Sequence, residues 1–380
     1  MHKRVLHIIP GYGGGISSLV RNIVVNCDSS KIINDVVGFS EYPDFFLKEV
    51  SAQNSKAYTI PSVHSGAGKS IKAFYKIVKE NHYDAVHIHV RENQFIYFAL
   101  ISKAAGCKRV IAHAHIADDE RMKFAIYRQK MRFWRSMTRL LADQLASCSK
   151  MASAFVYGDV AVRKNKVMHI PNGVNLSLYE PVVMEDKNVA RKNCGIKDEK
   201  FVIGNVGYLG YQKNHPFMLQ IAEVLKNKNI DFKMIFVGTG WAEDNLKSLC
   251  REKELDEYVV FAGRRNDVPE LFRSMDVAIL PSFYEGLPTV AVEAQAAGVP
   301  QVVSDTVTRE VDLGMGMIKY LPIDRGPELW ADEILKAANV KVPEWSKRKT
   351  EIEKHYFTGK TAADLYTKFI YGEISTYNLT

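Results

Sequence analysis

The stretch PSFYEGLPTVAVEAQAAGVP, residues 281–300, sets two glutamates, Glu285 and Glu293, eight positions apart. Eight residues is a little over two helical turns, so two helical glutamates would share a face. Gly286 and Pro288 oppose that reading for the first of them. They place Glu285 in a loop and start a helix at Pro288 or Thr289. Glu285 then lies beyond the helix N-terminus and Glu293 one turn inside it. The free N–H groups between them form a ready place for an anion. Two acids flanking an anion site suit a ligand that carries both phosphate and hydroxyls.

Outward from that stretch, short apolar runs alternate with helical segments. VLHIIP, INDVVGF, AVHIHV, RVIAHAH and QLASCS read as strands in the first half. FVIGNVG, FKMIFVG, YVVFAG, VAILPS and PQVVSD read as strands in the second. Each is closed by glycine or polar residues, as expected for parallel strands buried on both faces. Two successive βα series predict two doubly wound domains, which gather ligands at the carboxyl ends of their strands. The break falls near IPNGVNLSLYEP, residues 170–181, giving domains over 1–175 and 176–355. A last helical pattern within 356–380 is expected to cross back to the first domain.

The 380 residues suffice for two cores, and 47% hydrophobic with 25% charged residues is ordinary globular composition. Five cysteines with no tight pair read as reduced thiols of a cytoplasmic protein. MHKRVLHIIPGYGGG reads as a buried strand and not a signal peptide, and no run reaches membrane-spanning length. The net charge of +8 is uneven. Residues 1–175 hold 25 Lys/Arg against 13 Asp/Glu, and the remainder holds 26 against 30. A basic first half calls for an anionic partner. The segment 121–141 concentrates seven cations and no acid among large apolar side chains. It is either an interfacial membrane helix or an ordinary surface helix. No nucleic-acid motif accompanies it, so nucleic acid is not an expected partner.

Other segments offer chemistry at strand ends. GYGGGISSL, residues 11–19, is a glycine turn without the spacing of a dinucleotide fingerprint or a P-loop. It is either a tight turn or a place where backbone approaches a ligand. His87 and His89 share one strand face, as do His113 and His115. These are core histidines or substrate contacts; a metal site would need a third ligand, and none is evident from spacing. Asp118-Asp119 reads as a solvated loop. Lys213 lies where an ammonium could meet phosphate, and GTG at 238–240 and GRRND at 263–267 add two more strand-end loops.

Together these residues resemble the glycosyltransferases of the GT-B fold, in the large retaining family called glycosyltransferase group 1 or family four. The likeness rests on the glutamate-x7-glutamate block and runs through IPNGVN, VGYLGYQKNH and FAGRRNDVPELF. In the first half it runs through GGGISSL, DAVHIHV, RVIAHAHIAD and LASCSKMASAFVYG. The last two resemble a branch that builds capsular and exopolysaccharides. The resemblance implies an α/β GT-B architecture, two Rossmann-like domains with a cleft between them. It implies that Glu293 binds the ribose hydroxyls of a nucleotide sugar and that Glu285 contacts the transferred sugar. Backbone N–H groups of Gly286, Leu287 and Thr289, around Pro288, would meet phosphate or sugar oxygens, and Lys213 would hold the diphosphate. Gly263 and Arg264 would flank the base, Gly14 and Gly15 would approach the donor, and His115, or else His113, would touch the sugar. The family usually has arginine where this chain has Tyr208, which removes one cation from the diphosphate, with Arg264, Arg265 or Arg309 as substitutes.

The activity so implied is metal-independent, cofactor-free transfer, with retention, from a nucleoside-diphosphate sugar, a UDP-sugar, to a lipid-linked or oligosaccharide acceptor. It would proceed by front-face attack at the inner face of the plasma membrane, against an anionic surface, and the domains would close about a hinge near 172–180. The rival reading is a non-catalytic GT-B protein that stabilises a partner transferase; Tyr208 is its support.

Overall fold

The computed structural model describes residues 2–376 apart from 91, 118–119, 165, 181–186, 194–195 and 197–199. Two compact units emerge, Met1–Gly173 together with Tyr356–Thr380, and Val174–His355. The break lies two residues before the position read from the sequence.

The first unit is built on β1 (Lys3–Ile8), β2 (Ile32–Gly38), β3 (Ala57–Thr59), β4 (Ala85–Ile88), β5 (Val110–Ala114), β6 (Gln144–Ser147) and β7 (Val167–His169). All pair in parallel in the order β3-β2-β1-β4-β5-β6-β7. Parallel neighbours need crossover connections, and helices supply them. The register aligns His7 of β1 with His87 of β4. Because side chains alternate along a strand, His87 and His89 share a face, and so do His113 and His115. One core joins Val5, Ile23, Ile111 and Ala146 to Leu365, Tyr366, Phe369 and Ile370 of the helix Gly359–Tyr371. That helix opens on a capping box between Thr358 and Thr361. At its other end the Arg109 guanidinium donates to the carbonyls of Phe369 and Ile370. A cation on the orphan carbonyls of a helix C-terminus is favourable.

The second unit holds β8 (Phe201–Val206), β9 (Phe232–Val237), β10 (Val259–Gly263), β11 (Val277–Leu280), β12 (Gln301–Ser304) and β13 (Ile318–Leu321). The order is β10-β9-β8-β11-β12-β13, again parallel. Trp330, fully buried in its core, donates its indole N–H to the Pro322 carbonyl at 3.0 Å. At the carboxyl edge the backbones after β8 and β9 touch. A Cβ on Gly238, at φ +139°, would stand 1.9 Å from the Gly207 carbonyl oxygen, so only glycine fits there.

Candidate active site

The second unit gathers its polar residues at the carboxyl ends of β8 and β11. The chain leaves β8 through Gly207–Gly210, makes a turn of 3-10 helix over Tyr211–Lys213, and enters the helix His215–Asn227 through Asn214 at φ 56°. After β11, Phe283 N–H donates to the Gln212 carbonyl at 2.9 Å and stitches the two loops together. This brings Lys213 Nζ to 2.7 Å from Glu285 Oε1. Ser282 Oγ donates to the same oxygen at 2.7 Å, and Gln212 Nε2 donates to Oε2 at 2.9 Å. Glu285 is 5% exposed and Lys213 9%. The sequence reading gives these two residues separate ligands. The structure makes them partners first, because a carboxylate this buried requires its charge to be met. Lys213 retains two further N–H groups for an incoming anion.

The helix Thr289–Ala297 follows, and its N-cap residue Pro288 offers no side-chain acceptor. Its first N–H groups therefore carry no side-chain cap, at the end where the helix holds partial positive charge. Glu293 sits one turn in and is half-buried. Burial raises its pKa from the ordinary 4.5 to about 7. Tyr179 lies close enough for the Glu293 charge to add to the larger effect of its own burial, and both hold its hydroxyl protonated. No sequence motif singles out Tyr179.

At β10 the chain turns at Gly263, φ +66°, with Arg264 exposed beside it. Arg265 is paired with Asp267, and Arg309 lies 3.5 Å over the Tyr320 ring. Of the three arginines that could replace the cation missing at Tyr208, Arg264 and Arg309 are exposed, and Arg309 lies over Tyr320 while Arg265 is held by Asp267. Tyr208 is itself exposed, and its hydroxyl accepts from the Trp241 backbone N–H at 3.4 Å. Tyr211 and Trp241 are exposed too, and Tyr211 stacks on Phe283 at 4.8 Å. This cluster of aromatics is unread in the sequence, because its members come from three separate loops.

In the first unit Gly13 and Gly14 adopt φ 120° and 88° before the helix Gly15–Asn26, and Gly13 N–H is bonded to Ser17 Oγ at 2.9 Å. Gly14 and Gly15 are exposed. Next to this turn, Pro10, Ile16, His89, His113, His115 and Tyr157 line part of a pocket of about 220 Å³. Its histidines belong to a larger array. His7 Nδ1 lies 3.1 Å from His89 Nε2, and His89 Nδ1 lies 2.9 Å from His115 Nε2. His113 Nδ1 lies 3.0 Å from His87 Nε2. Burial lowers every one of these imidazoles, His7 to about 4 and His115 to about 3, so all are neutral near pH 7. Spacing alone shows no third metal ligand, but strand pairing supplies one. Nitrogens of His89, His113 and His115 lie within 4.8 Å of one another, as do those of His7, His87 and His89. In this structure the closest of these nitrogens are hydrogen-bonded to each other in pairs. Asp118 and Asp119 fall outside the described residues.

The basic segment forms the helix Ala125–Leu141, with Tyr127, Met131 and Thr138 buried. Phe124, Ile126, Phe133 and Leu140 are exposed, along with Lys123, Lys130 and Arg132. Arg135 is committed elsewhere, donating to the Phe155 carbonyl at 2.8 Å, and Arg139 donates to that of Tyr157 at 2.7 Å. Among the described residues no helix is long and apolar enough to cross a membrane.

Two family descriptions match the chain, Glycosyl transferases group 1 over residues 186–349 and Glycosyltransferase Family 4 over residues 13–178. The protein designated glycosyltransferase EpsF of Bacillus subtilis (strain 168) is 30% identical over 348 residues, 88% of each chain. The UDP-Gal:alpha-D-GlcNAc-diphosphoundecaprenol alpha-1,3-galactosyltransferase of Escherichia coli is 28% identical over 62% of each chain. Among solved structures, Anabaena Alr3699/HepE in complex with UDP-glucose superposes with a TM-score of 0.77 at 17% identity, covering 98% of this chain and 100% of that one. Two parallel-sheet Rossmann-like units, the paired glutamates and these matches place the chain in the glycosyltransferase group 1 family, as a glycosyltransferase of the GT-B fold.

Proposed function

We propose that the protein transfers a sugar, with retention of anomeric configuration, from a UDP-sugar to a lipid-linked carbohydrate acceptor in the synthesis of a cell-surface polysaccharide. The observation that carries this reading is the buried Lys213–Glu285 pair beside the uncapped N-terminus of the helix Thr289–Ala297. A departing nucleoside diphosphate develops negative charge. Preorganised positive ends in a dry site stabilise such charge, and here the lysine and the helix terminus supply them without calling on a metal. Glu285 holds Lys213 in place and presents the pair to the transferred sugar. Glu293, one turn along, receives the ribose hydroxyls. The relatives support the choice of substrates. The galactosyltransferase of Escherichia coli is named for a UDP-sugar donor and a diphosphoundecaprenol acceptor. A Campylobacter jejuni relative, 28% identical over 46% of this chain, is named for another diphospho-undecaprenol acceptor.

The acceptor chemistry calls for a membrane surface, and the exposed cations and apolar side chains about the helix Ala125–Leu141 suit peripheral binding to anionic lipid. The deciding experiment follows nucleotide release from UDP-, GDP- and ADP-sugars, with and without a polyprenyl-diphosphate-linked saccharide. Acceptor-dependent release of UDP with an α-configured product from an α-linked donor is expected. A folded protein that releases nucleotide from none of them would instead support a non-catalytic role beside a partner transferase, the reading favoured by Tyr208 in place of arginine.

A further inference from the structure

His89 directly follows β4, while His113 and His115 stand at the carboxyl end of β5, its parallel neighbour. The pairing gathers three imidazoles at one edge of the sheet. Each offers a ring nitrogen, and these three atoms lie within 4.8 Å of one another. His89 is 2% exposed and His113 5%, and His115 is partly exposed.

The cluster satisfies its own hydrogen bonds only in part. His89 Nδ1 and His115 Nε2 are bonded to each other at 2.9 Å. His113 Nε2 is buried and has no partner among the described residues. A buried polar atom left unpaired is costly and calls for a ligand. The far nitrogens of two of the rings are held from behind. His113 Nδ1 lies 3.0 Å from His87 Nε2, and His89 Nε2 lies 3.1 Å from His7 Nδ1. Metal-bound imidazoles are typically oriented in this way, by a hydrogen bond at the nitrogen that faces away from the ion.

We infer that His89, His113 and His115 form a binding site for a transition-metal dication, with zinc the ion that fits best. Imidazole nitrogen suits zinc, copper and nickel, whereas magnesium and calcium take oxygen ligands. Tetrahedral zinc holds its nitrogen ligands roughly 3.3 Å apart, so the three rings need only a small approach. His113 Nε2 gives a lone pair that nothing else uses. The ion replaces the hydrogen bond between His89 and His115, and the proton of that bond moves to the other nitrogen of the ring that carries it. All three rings line the pocket of about 220 Å³, which gives the ion an entry and leaves its fourth position to water or a small ligand. The inner set, His7, His87 and His89, lacks that access. Neither His7 nor His87 lines the pocket, and His7 Nε2 is engaged at 3.2 Å by both Asn34 Oδ1 and the Tyr366 hydroxyl. The site belongs to the first unit, and the transfer chemistry proposed for Lys213 and Glu285 does not depend on it.

The test is titration of tag-free, chelator-treated protein with zinc chloride, followed by calorimetry, and with cobalt(II), followed by visible absorption. One equivalent of zinc, the strong bands of four-coordinate cobalt and no heat from magnesium are expected. His113→Phe should abolish binding, and His87→Phe, which removes a positioning contact, should weaken it about 10–100-fold. His82→Asn, at an exposed histidine, should leave it unaltered. Proton NMR of the wild type with and without zinc needs no variant to fold. The ring signals of His89, His113 and His115 should shift, and those of His82 and His355 should not. No binding of zinc, magnesium bound as tightly as zinc, zinc that shifts only His82 or His355, or unaltered affinity in a folded His113→Phe overturns the inference.

Discussion

The role proposed for Glu293, accepting from ribose hydroxyls, requires a carboxylate. Burial raises its pKa to about 7, so near neutrality the free protein is divided between the two forms. A ligand whose hydroxyls donate to the carboxylate favours the ionised form. Affinity for UDP-glucose, whose diphosphate carries no proton that titrates near pH 7, should therefore rise from pH 6 to pH 8. Glu293→Gln should bind more weakly and flatten the profile. Calorimetry across that range checks it; a wild-type profile as flat as that of Glu293→Gln would take Glu293 out of the binding site. Lys213 and Glu285 are coupled instead by contact, with Lys213 Nζ 2.7 Å from Glu285 Oε1 and both side chains buried. Removing one partner of a buried pair costs about 3–5 kcal/mol, while replacing both with apolar groups costs less. Lys213→Met and Glu285→Leu should each destabilise the protein to that extent in denaturant unfolding, and the double variant by less than their sum. Additive effects would show that the two charges do not depend on one another.

At the scale of elements, the helix Ala125–Leu141 and the turn Glu120–Lys123 before it put their cations to different uses. Arg135 and Arg139 reach the Phe155 and Tyr157 carbonyls, capping the end of the helix Lys150–Tyr157, whereas Lys123, Lys130 and Arg132 are exposed. Each exposed cation near an anionic surface contributes about 1 kcal/mol, screened as the Debye length falls from about 10 Å at 0.1 M salt to about 3 Å at 1 M. Replacing Lys123, Lys130 and Arg132 with glutamine should cut sedimentation with anionic vesicles by at least 10-fold at low salt without altering the fold. Equal binding to neutral vesicles would reject electrostatic attachment. The seven cations are plain in the sequence, but their division is not, because it depends on which helix lies alongside. Strands show a similar limit. The central ones are apolar on both faces and legible at once. β3 (AYT), β7 (VMH) and β13 (IKYL) pass unread, and all three are edge strands, short and covered on one side. The glutamate block, with its loop, proline and helix start, is legible because local backbone rules fix it. The pairing of Lys213 with Glu285 joins residues 72 positions apart, and nothing local announces it.

For the whole molecule, the two units should answer acid differently. Histidines titrate near 6.5 when unfolded, but His7 and His169 are lowered to about 4 and His115 to about 3 in the first unit. As pH falls through 6.5 the unfolded chain takes up protons that the folded unit refuses, so stability is lost between about pH 6.5 and pH 4. His7 alone accounts for about 3 kcal/mol at 1.36 kcal/mol per unit of pKa. Glu293, in the second unit, has the reverse sign. Its raised pKa stabilises the folded form at low pH, and that contribution is lost as pH rises from 4.5 to about 7. Hydrogen exchange at pH 7.5 and pH 5, corrected for intrinsic rates, should show protection falling in β1, β4 and β5 more than in β8 and β11. Equal loss in both units would mean that the histidine array is not what acid attacks.

The helix Gly359–Tyr371 bears on how the protein is born. It completes the core of the first unit, yet the entire second unit is synthesised before it. A nascent chain must carry Val5, Leu19 and Ile23 without their last cover until that helix has been made, while Val174–His355 is a continuous segment free to fold before it. The expected order of maturation is therefore the reverse of the order of synthesis, second unit before first. A chain arrested after His355 should show native protection in β8–β12 by pulse-labelled exchange, with β1 and β4 still open. Early closure of β1 would mean that the first unit does not wait for its final helix.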